Sequence, residues 1–383
     1  MKFAVGYQIP DEDEAPFAAL VEEFREHVAE VYFPWLDLPS GRSPLVRQDD
    51  PDRETARASL ESDLLEMRRL GVRLDLLLNA SCYGRDAYSL ALVERTSSVI
   101  AHLMDLVGLD VVTTMSPLLA ETVKRRFPSV EVRASVNMRL GTVRSLEYVA
   151  HLFDSYHVQR ECNRDLERLS ELRAWAEANG KHLIMLANSG CLSYCSVQTF
   201  HDNLVSHEAE AAEVANVPAE APALCWSYYR ERRNWVRFLQ NTWVRPEDLC
   251  QYEALFPVVK LATRMHANPR RVIQAYAAGR FAGNLPDLFE PGHGPLFAPY
   301  VIDNQQFPED WFERTTTCGQ QCERCHYCQG VLEQVLTPGS YSQGGDGGRR
   351  AEPEGTPRVD PQRSSRTCMS SAILRQTGSD SLG

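Results

Sequence analysis

Eight short apolar runs, separated by amphipathic stretches, restrict this chain's fold more than any other feature of its sequence. The runs are Phe3–Tyr7, Glu30–Pro34, Leu74–Asn79, Leu109–Met115, Val130–Asn137, Ser155–Arg160, Leu183–Asn188 and Val258–Thr263. Each has strand length and the hydrophobicity expected of a strand buried on both faces. Between them, Phe17, Leu20, Val21, Phe24 and Val28 recur at helical spacing. So do Ala56, Leu60, Leu64 and Met67, ahead of Gly71 as a helix C-cap. Leu166, Leu169 and Leu172 repeat the pattern and end at Asn179-Gly180. Strand and helix in alternation require parallel pairing with right-handed crossovers. The expectation is an α/β chain forming a closed (β/α)8, TIM-like barrel. An open doubly wound sheet is the rival, but neither GxGxxG nor GxxxxGK followed by Ser or Thr occurs.

Two segments depart from the alternation. The connection between Asn188 and Val258 is far longer than a βα loop and makes residues 189–256 a cysteine-bearing insertion before the last strand. The barrel is expected to span 1–264, followed by a C-terminal extension over 265–336 with a second cysteine group. Residues 337–383 are rich in Gly, Ser, Pro and Arg, too poor in apolar side chains to fold, and are expected to form a disordered tail.

Lys and Arg number 40 against 52 Asp and Glu, a net charge of −12 that argues against bulk nucleic-acid binding while allowing a local basic groove. The acidic run Asp11-Glu12-Asp13-Glu14 reads as a solvated loop. No apolar run is long enough for a bilayer, so no membrane partner is expected. Met1–Gly6 lacks a signal-peptide core, and a cytoplasmic location is the expectation. Eleven cysteines, an odd count, suit a disulfide framework poorly in a reducing compartment.

The cysteines cluster. Cys191 follows directly on a predicted strand and would sit at the barrel's C-terminal mouth, where barrel enzymes build their active sites. Helical geometry after Gly190 would put Cys191 and Cys195 on one face. Cys225 and Cys250, returned by the insertion, would complete four thiolates for an iron–sulfur cluster, while a packing role is the plainer reading of each. The second group, Cys318, Cys322, Cys325 and Cys328, lies within eleven residues and suits a compact 4Fe–4S cluster, with zinc as the alternative. Cys82 and Cys162 read as packing residues and Cys368 as a free surface thiol.

Polar residues gather at the predicted C-terminal strand ends: Asn79, Asn137, Asn188 and Arg264, with Arg139, Arg160, Glu161 and Lys260 as the catalytic candidates. Arg139, Arg160 and Lys260 together would bind a carboxylate or phosphate, although each alone could be an ordinary solvated side chain. His201, Asp202 and His207 could transfer protons, but surface helix positions are the simpler expectation. Neither HExxH nor GxSxG occurs.

The order of these motifs resembles the peptidase U32 family, the collagenase-like proteins. The resemblance rests on Val130–Asn137, Val158-Gln159-Arg160-Glu161, Leu186–Cys191, Val244–Leu249 and Val259–Arg264, and covers roughly residues 1–285. It implies a β/α barrel holding a 4Fe–4S cluster on four cysteines, and carries that role to Cys191 and Cys195 first, then Cys225, then Cys250. It also implies oxygen-independent hydroxylation of ubiquinone precursors or RNA bases, or other RNA modification, beside the old peptidase label. The cysteine spacing here differs from that of the hydroxylation subfamilies, and the 318–328 quartet suggests a second cluster relaying electrons. The expected function is therefore redox modification of a small molecule or RNA, served by an electron donor or partner subunit. The alternatives are a peptidase or other hydrolase, for which no nucleophile–base pair is recognisable, and a non-catalytic iron–sulfur subunit of a modifying complex.

Overall fold

A computed structural model describes residues 1–10, 14–36, 38–42, 44–45, 52–208 and 224–339. Strands β1 (Lys2–Gly6), β2 (Val28–Pro34), β3 (Arg73–Leu78), β4 (Val111–Thr114), β5 (Glu131–Ala134), β6 (Ser155–His157), β7 (His182–Leu186) and β8 (Val258–Lys260) pair in sequence order. β8 returns to β1 with Lys2 opposite Val258 and Ala4 opposite Lys260, closing a parallel barrel. The expected TIM-like architecture is present.

Helices α1 (Phe17–Glu23), α2 (Arg53–Arg69), α3 (Leu90–Val107), α4 (Pro117–Arg126), α5 (Val143–Tyr148) and α6 (Leu166–Ala178) lie between successive strands. On α2 the buried face is Ala56, Leu60, Leu64 and Met67, and Gly71 follows in the left-handed region at φ 79°. The side chain of Ser89 caps α3 by accepting from the Leu92 amide. One helical expectation is corrected: Val28 is the first residue of β2, because α1 stops at Glu23 and a tight turn returns the chain to the sheet.

Seven of the eight barrel strands end earlier than their apolar runs. β5 stops at Ala134, where the Ser135 side chain accepts from the Asn137 amide and starts a 3-10 turn over Val136–Met138. β6 stops at His157, and Arg160–Arg164 forms another 3-10 turn. The residues beyond the ladders build the mouth.

Alternation along the strands sorts two interiors. Phe3, Val5, Val31, Phe33, Leu74, Leu76, Val112, Val132, Tyr156 and Val259 belong to the apolar layer under the helices. The lumen instead holds a small group of Ala4, Tyr32 and Leu77 and a buried ionic network. Arg133 donates to Glu30 at 3.0 Å, to Asp75 at 3.3 Å and to Ser155 at 3.0 Å. Burial pushes the Asp75 carboxyl up, against the pull of Arg133.

After β7 come α7 (Gln198–Ser206), α8 (Leu224–Tyr229) and α9 (Val236–Leu239), and after β8 come α10 (Pro269–Ala278), α11 (Trp311–Thr316) and α12 (Tyr327–Val335). An antiparallel pair, β9 (Tyr300–Ile302) and β10 (Leu336–Pro338), belongs to the C-terminal extension. Trp243 ties the extension to the insertion, stacking on Phe289 at 5.2 Å and Trp311 at 5.9 Å. Thr337 and Pro338 lie in β10, so secondary structure passes the expected boundary at 336. Residues 340–383 of the expected tail, Cys368 and most of the acidic run at 11–14 fall outside the described residues. Among the described residues no helix is long and apolar enough to cross a membrane.

Candidate active site at the barrel mouth

The mouth is lined by cations. Arg160, at the start of its 3-10 turn, donates to the Ser189 hydroxyl at 3.0 Å and interacts with the Cys191 thiol. Arg42 donates to Glu290 at 3.2 Å and also lies in electrostatic reach of Cys191. Arg264 donates to the Ser40 hydroxyl at 3.0 Å, and burial together with the nearby Arg42 charge lowers its pKa to about 10. The Lys260 ammonium sits 3.7 Å above the centre of the Tyr32 ring, and burial lowers its pKa to about 8. Guanidinium and ammonium groups concentrated over a low-dielectric lumen attract an anion.

The other expected mouth residues divide. Arg139, in the left-handed region at φ 55°, pairs with Asp202 at 3.5 Å. Asp202 is buried, so the surface-helix reading fails for it; burial lowers the pKa of His201 beside it, with Arg42 adding to the effect. Glu161 accepts the Tyr194 amide at 3.1 Å, which anchors the cysteine loop. Asn79 accepts the Gly41 amide at 2.9 Å, and Asn137 lies beside the same glycine. Asn188 is a structural pin whose amide donates to the Ala262 and Leu288 carbonyls, both at 2.9 Å. Of the two cysteines expected to pack, Cys162 is buried in the core and Cys82 is half-buried.

Sequence reasoning missed Arg42, Glu290 and His293. Ser189 forms a parallel bridge with Glu290, and the Gly190 amide donates to the Glu290 carbonyl at 3.0 Å. A side chain at Gly190 would meet the Pro291 carbonyl oxygen at 2.1 Å, so only glycine allows this approach. His293 is fully buried between Trp226 at 5.5 Å and Tyr229 at 5.1 Å. Neither of its ring nitrogens has a hydrogen-bond partner, and burial lowers its pKa to about 4. The turn Glu290-Pro291-Gly292-His293-Gly294-Pro295 was the available signal.

Cys191, Cys195 and Cys225 share one neighbourhood. Burial, with the Cys191 and Cys195 thiols adding, pushes Cys225 up to about 11. The turn after Gly190 is not helical: α7 begins at Gln198, and Tyr194 is left-handed at φ 52°. Cys250 lies on the 3-10 turn Pro246–Tyr252, its thiol directed at the Glu247 carbonyl at 3.9 Å. In the second group, burial pushes Cys328 up to about 11; Arg164 opposes this, and Cys322, Cys318 and Cys325 add to it. Cys318 and Cys325 are exposed, Cys322 and Cys328 half-buried.

Among the described residues no three His, Cys, Asp or Glu side chains already converge on a point suited to a metal ion. The donor chemistry of both groups fits one: soft thiols in a three and a four, with a buried imidazole of two unpartnered nitrogens packed on Tyr229, whose hydroxyl lies in electrostatic reach of Cys225 and Cys191.

Fold and site together define a (β/α)8 barrel protein with a cationic, thiol-bearing mouth. The chain resembles the peptidase U32 family, as the order of its motifs implied. It is 28% identical over 330 residues to an uncharacterized protease of Methanocaldococcus jannaschii, a match covering 82% of this chain and 91% of the relative. A solved U32 peptidase, Mk0906, matches 69% of this chain and 93% of its own length at a TM-score of 0.49 and 19% identity. A glycoside hydrolase family 5 mannosidase from Rhizomucor miehei matches 76% of this chain and 94% of its own at a TM-score of 0.40 and 9% identity. No protein-family model matches the chain.

Proposed function

We propose that this chain is an iron–sulfur barrel enzyme of the U32 type that carries out oxygen-independent hydroxylation, or a related redox modification, of an anionic small molecule or RNA. One observation carries the reading: Cys191 leaves β7 at the barrel mouth beside Arg160 and Arg42, with Cys195 and Cys225 in its neighbourhood. Arg42, Arg160 and Lys260 bind the substrate's negative charge, and Glu290 holds the Arg42 guanidinium in its orientation. Burial of Lys260 and the aromatic face beneath it keep bulk water from the lumen side of the bound anion. An iron–sulfur group held by the three thiols would supply one-electron or Lewis-acid chemistry next to that anion. The 318–328 quartet is a candidate second 4Fe–4S site, with zinc as the alternative tenant.

The relative's protease name favours a peptidase or other hydrolase as the second reading. A nucleophilic Cys191 would need a base: Arg160 and Arg42 at its side are cations that accept no proton, which leaves the unpartnered imidazole of His293, packed on the Tyr229 ring, as the group for that role.

Anaerobic purification followed by iron, sulfide and zinc quantification tests the proposal, on wild type and on a Cys322→Ala/Cys325→Ala variant. About eight iron and eight sulfide per chain, falling to about four in the variant, supports two clusters. About four iron plus one zinc, with only zinc lost, makes the quartet structural. A wild type without iron overturns the proposal.

A further inference from the structure

We propose that His293 is the fourth ligand of the iron–sulfur group held by Cys191, Cys195 and Cys225, in place of Cys250. The inference rests on the iron–sulfur reading of the mouth and assigns a residue that the motif order does not reach.

Burial is the starting point. His293 has no exposed surface, yet both of its ring nitrogens lack a hydrogen-bond partner. Buried polar atoms are nearly always paired, because an unpaired one forfeits its hydration without return. If the position served packing alone, a phenylalanine would fill the space between Trp226 and Tyr229 without that cost. An imidazole kept there implies a partner for at least one nitrogen, and a metal centre is such a partner.

The backbone brings the turn that carries this imidazole alongside the cysteine loop. Asn188 donates to the Leu288 carbonyl, Ser189 bridges Glu290 in parallel, and the Gly190 amide donates to the Glu290 carbonyl. The chain leaving Glu290 toward His293 therefore runs alongside the chain leaving Ser189 toward Cys191. The aromatic walls come from α8, the helix that also carries Cys225. Tyr229 stands one turn along α8 from Cys225, so the two share a face. Tyr229 packs against His293 and lies in electrostatic reach of both Cys225 and Cys191. Asn241 joins the same unit, donating to the Tyr229 hydroxyl at 2.9 Å and accepting the Ser193 amide at 3.1 Å.

Cys250 is tied elsewhere. Its thiol is directed at the Glu247 carbonyl, while the Glu247 side chain accepts from the Phe281 amide at 2.7 Å and from Asn304 at 2.8 Å. These contacts fix the 246–252 turn to the C-terminal extension. Three thiolates and a neutral imidazole also carry one negative charge fewer than four thiolates, which raises a cluster's reduction potential.

The test uses the full chain, purified anaerobically in the Cys322→Ala/Cys325→Ala background so that the mouth group is read alone. Wild-type mouth, His293→Ala, His293→Cys and Cys250→Ala are compared for iron content and midpoint potential. Hyperfine coupling to isotopically labelled histidine nitrogen is read by pulsed electron paramagnetic resonance. The expected result is a histidine coupling in the wild-type mouth and in Cys250→Ala, both with full iron. Loss of the coupling is expected in both His293 variants, with His293→Cys retaining iron at a lower potential. Full iron without histidine coupling, or iron lost in Cys250→Ala but kept in His293→Ala, overturns the ligand assignment while leaving the iron–sulfur reading intact. No iron in the wild-type mouth overturns both.

Discussion

Arg160 and Arg164 stand at the two ends of one short 3-10 turn, and each addresses a different group of thiols. Arg160 faces Ser189 and Cys191 at the mouth. Arg164 lies over the Trp243 ring at 4.6 Å and the Trp311 ring at 5.2 Å, donates to the Leu239 carbonyl at 2.6 Å, and lies in electrostatic reach of Cys328 and Cys318. The two groups also meet directly: the Tyr194 hydroxyl lies 3.5 Å from the Gln320 side-chain oxygen. Tyr194 and Gln320 are both left-handed, at φ 52° and 54°.

Removing the cation from this junction separates the two thiol groups functionally. Arg164→Leu keeps apolar bulk against the tryptophans but leaves the Leu239 and Trp243 carbonyls without their donor. Affinity of the 318–328 quartet for the metal proposed there is expected to fall by about tenfold or more, because an oriented charge near the thiols is lost. The mouth group changes less. Metal retained per chain, measured against increasing chelator for each group, distinguishes the two effects.

The lumen network predicts a stability loss with an internal control. Arg133→Met leaves Glu30 and Asp75 buried without the guanidinium that holds them. Breaking one side of such a network costs about 3–5 kcal/mol, read as a lower denaturant midpoint at neutral pH. Adding Glu30→Gln to Arg133→Met removes one of the orphaned charges and is expected to recover part of the loss.

Lys260 sets a pH dependence. Its pKa is lowered to about 8, so the side chain is charged below that pH and neutral above it. Binding of a sulfate or sulfonate probe, whose own charge is constant, is expected to weaken as pH rises through about 8. Lys260→Met binds the probe more weakly at neutral pH and shows no change through that range. The unfolded lysine keeps its proton to about 10.4, so the unfolded chain binds more protons between the two values. Stability therefore rises with pH across that window, and this rise disappears in the same variant. Calorimetric titration and denaturant midpoints measured from pH 7 to 10 check both signs.

The barrel was legible because a strand buried on both faces leaves a run of apolar residues, and each of the eight runs contains a ladder. Strand ends were less legible. Ser135, Val136 and Asn137 look like a continuation of Val132, but the Ser135 hydroxyl captures the Asn137 amide and turns the chain. The lumen ions were written at alternate positions, as in Leu74-Asp75-Leu76 and Val132-Arg133-Ala134, where a single charge between apolar neighbours does not declare which partner it meets. Of the site, Arg160, Lys260 and Cys191 could be read because they stand at or a few residues beyond the C-terminal ends of strands. Arg42, Glu290 and His293 could not, since they lie in connections whose meeting depends on the Ser189–Glu290 bridge. Asn188 shows the converse error: a polar residue at a strand end whose hydrogen bonds are all spent on backbone.

That bridge is itself testable through Gly190. An alanine methyl there would lie 2.1 Å from the Pro291 carbonyl oxygen, a backbone atom that cannot rotate away, so the 288–294 segment has to move. Gly190→Ala is expected to cost about 1–3 kcal/mol in denaturant unfolding, the range for forcing a methyl into a packed interior. The displacement also carries Glu290 away from Arg42, so probe-anion affinity falls together with stability. Gly71→Ala is the matched control: its φ of 79° strains an alanine, but no atom lies within 4 Å of the added methyl. It is expected to lower stability by about 1 kcal/mol while leaving anion affinity unchanged. Equal anion affinity in the two variants would mean that the segment behind Gly190 does not hold the mouth in place.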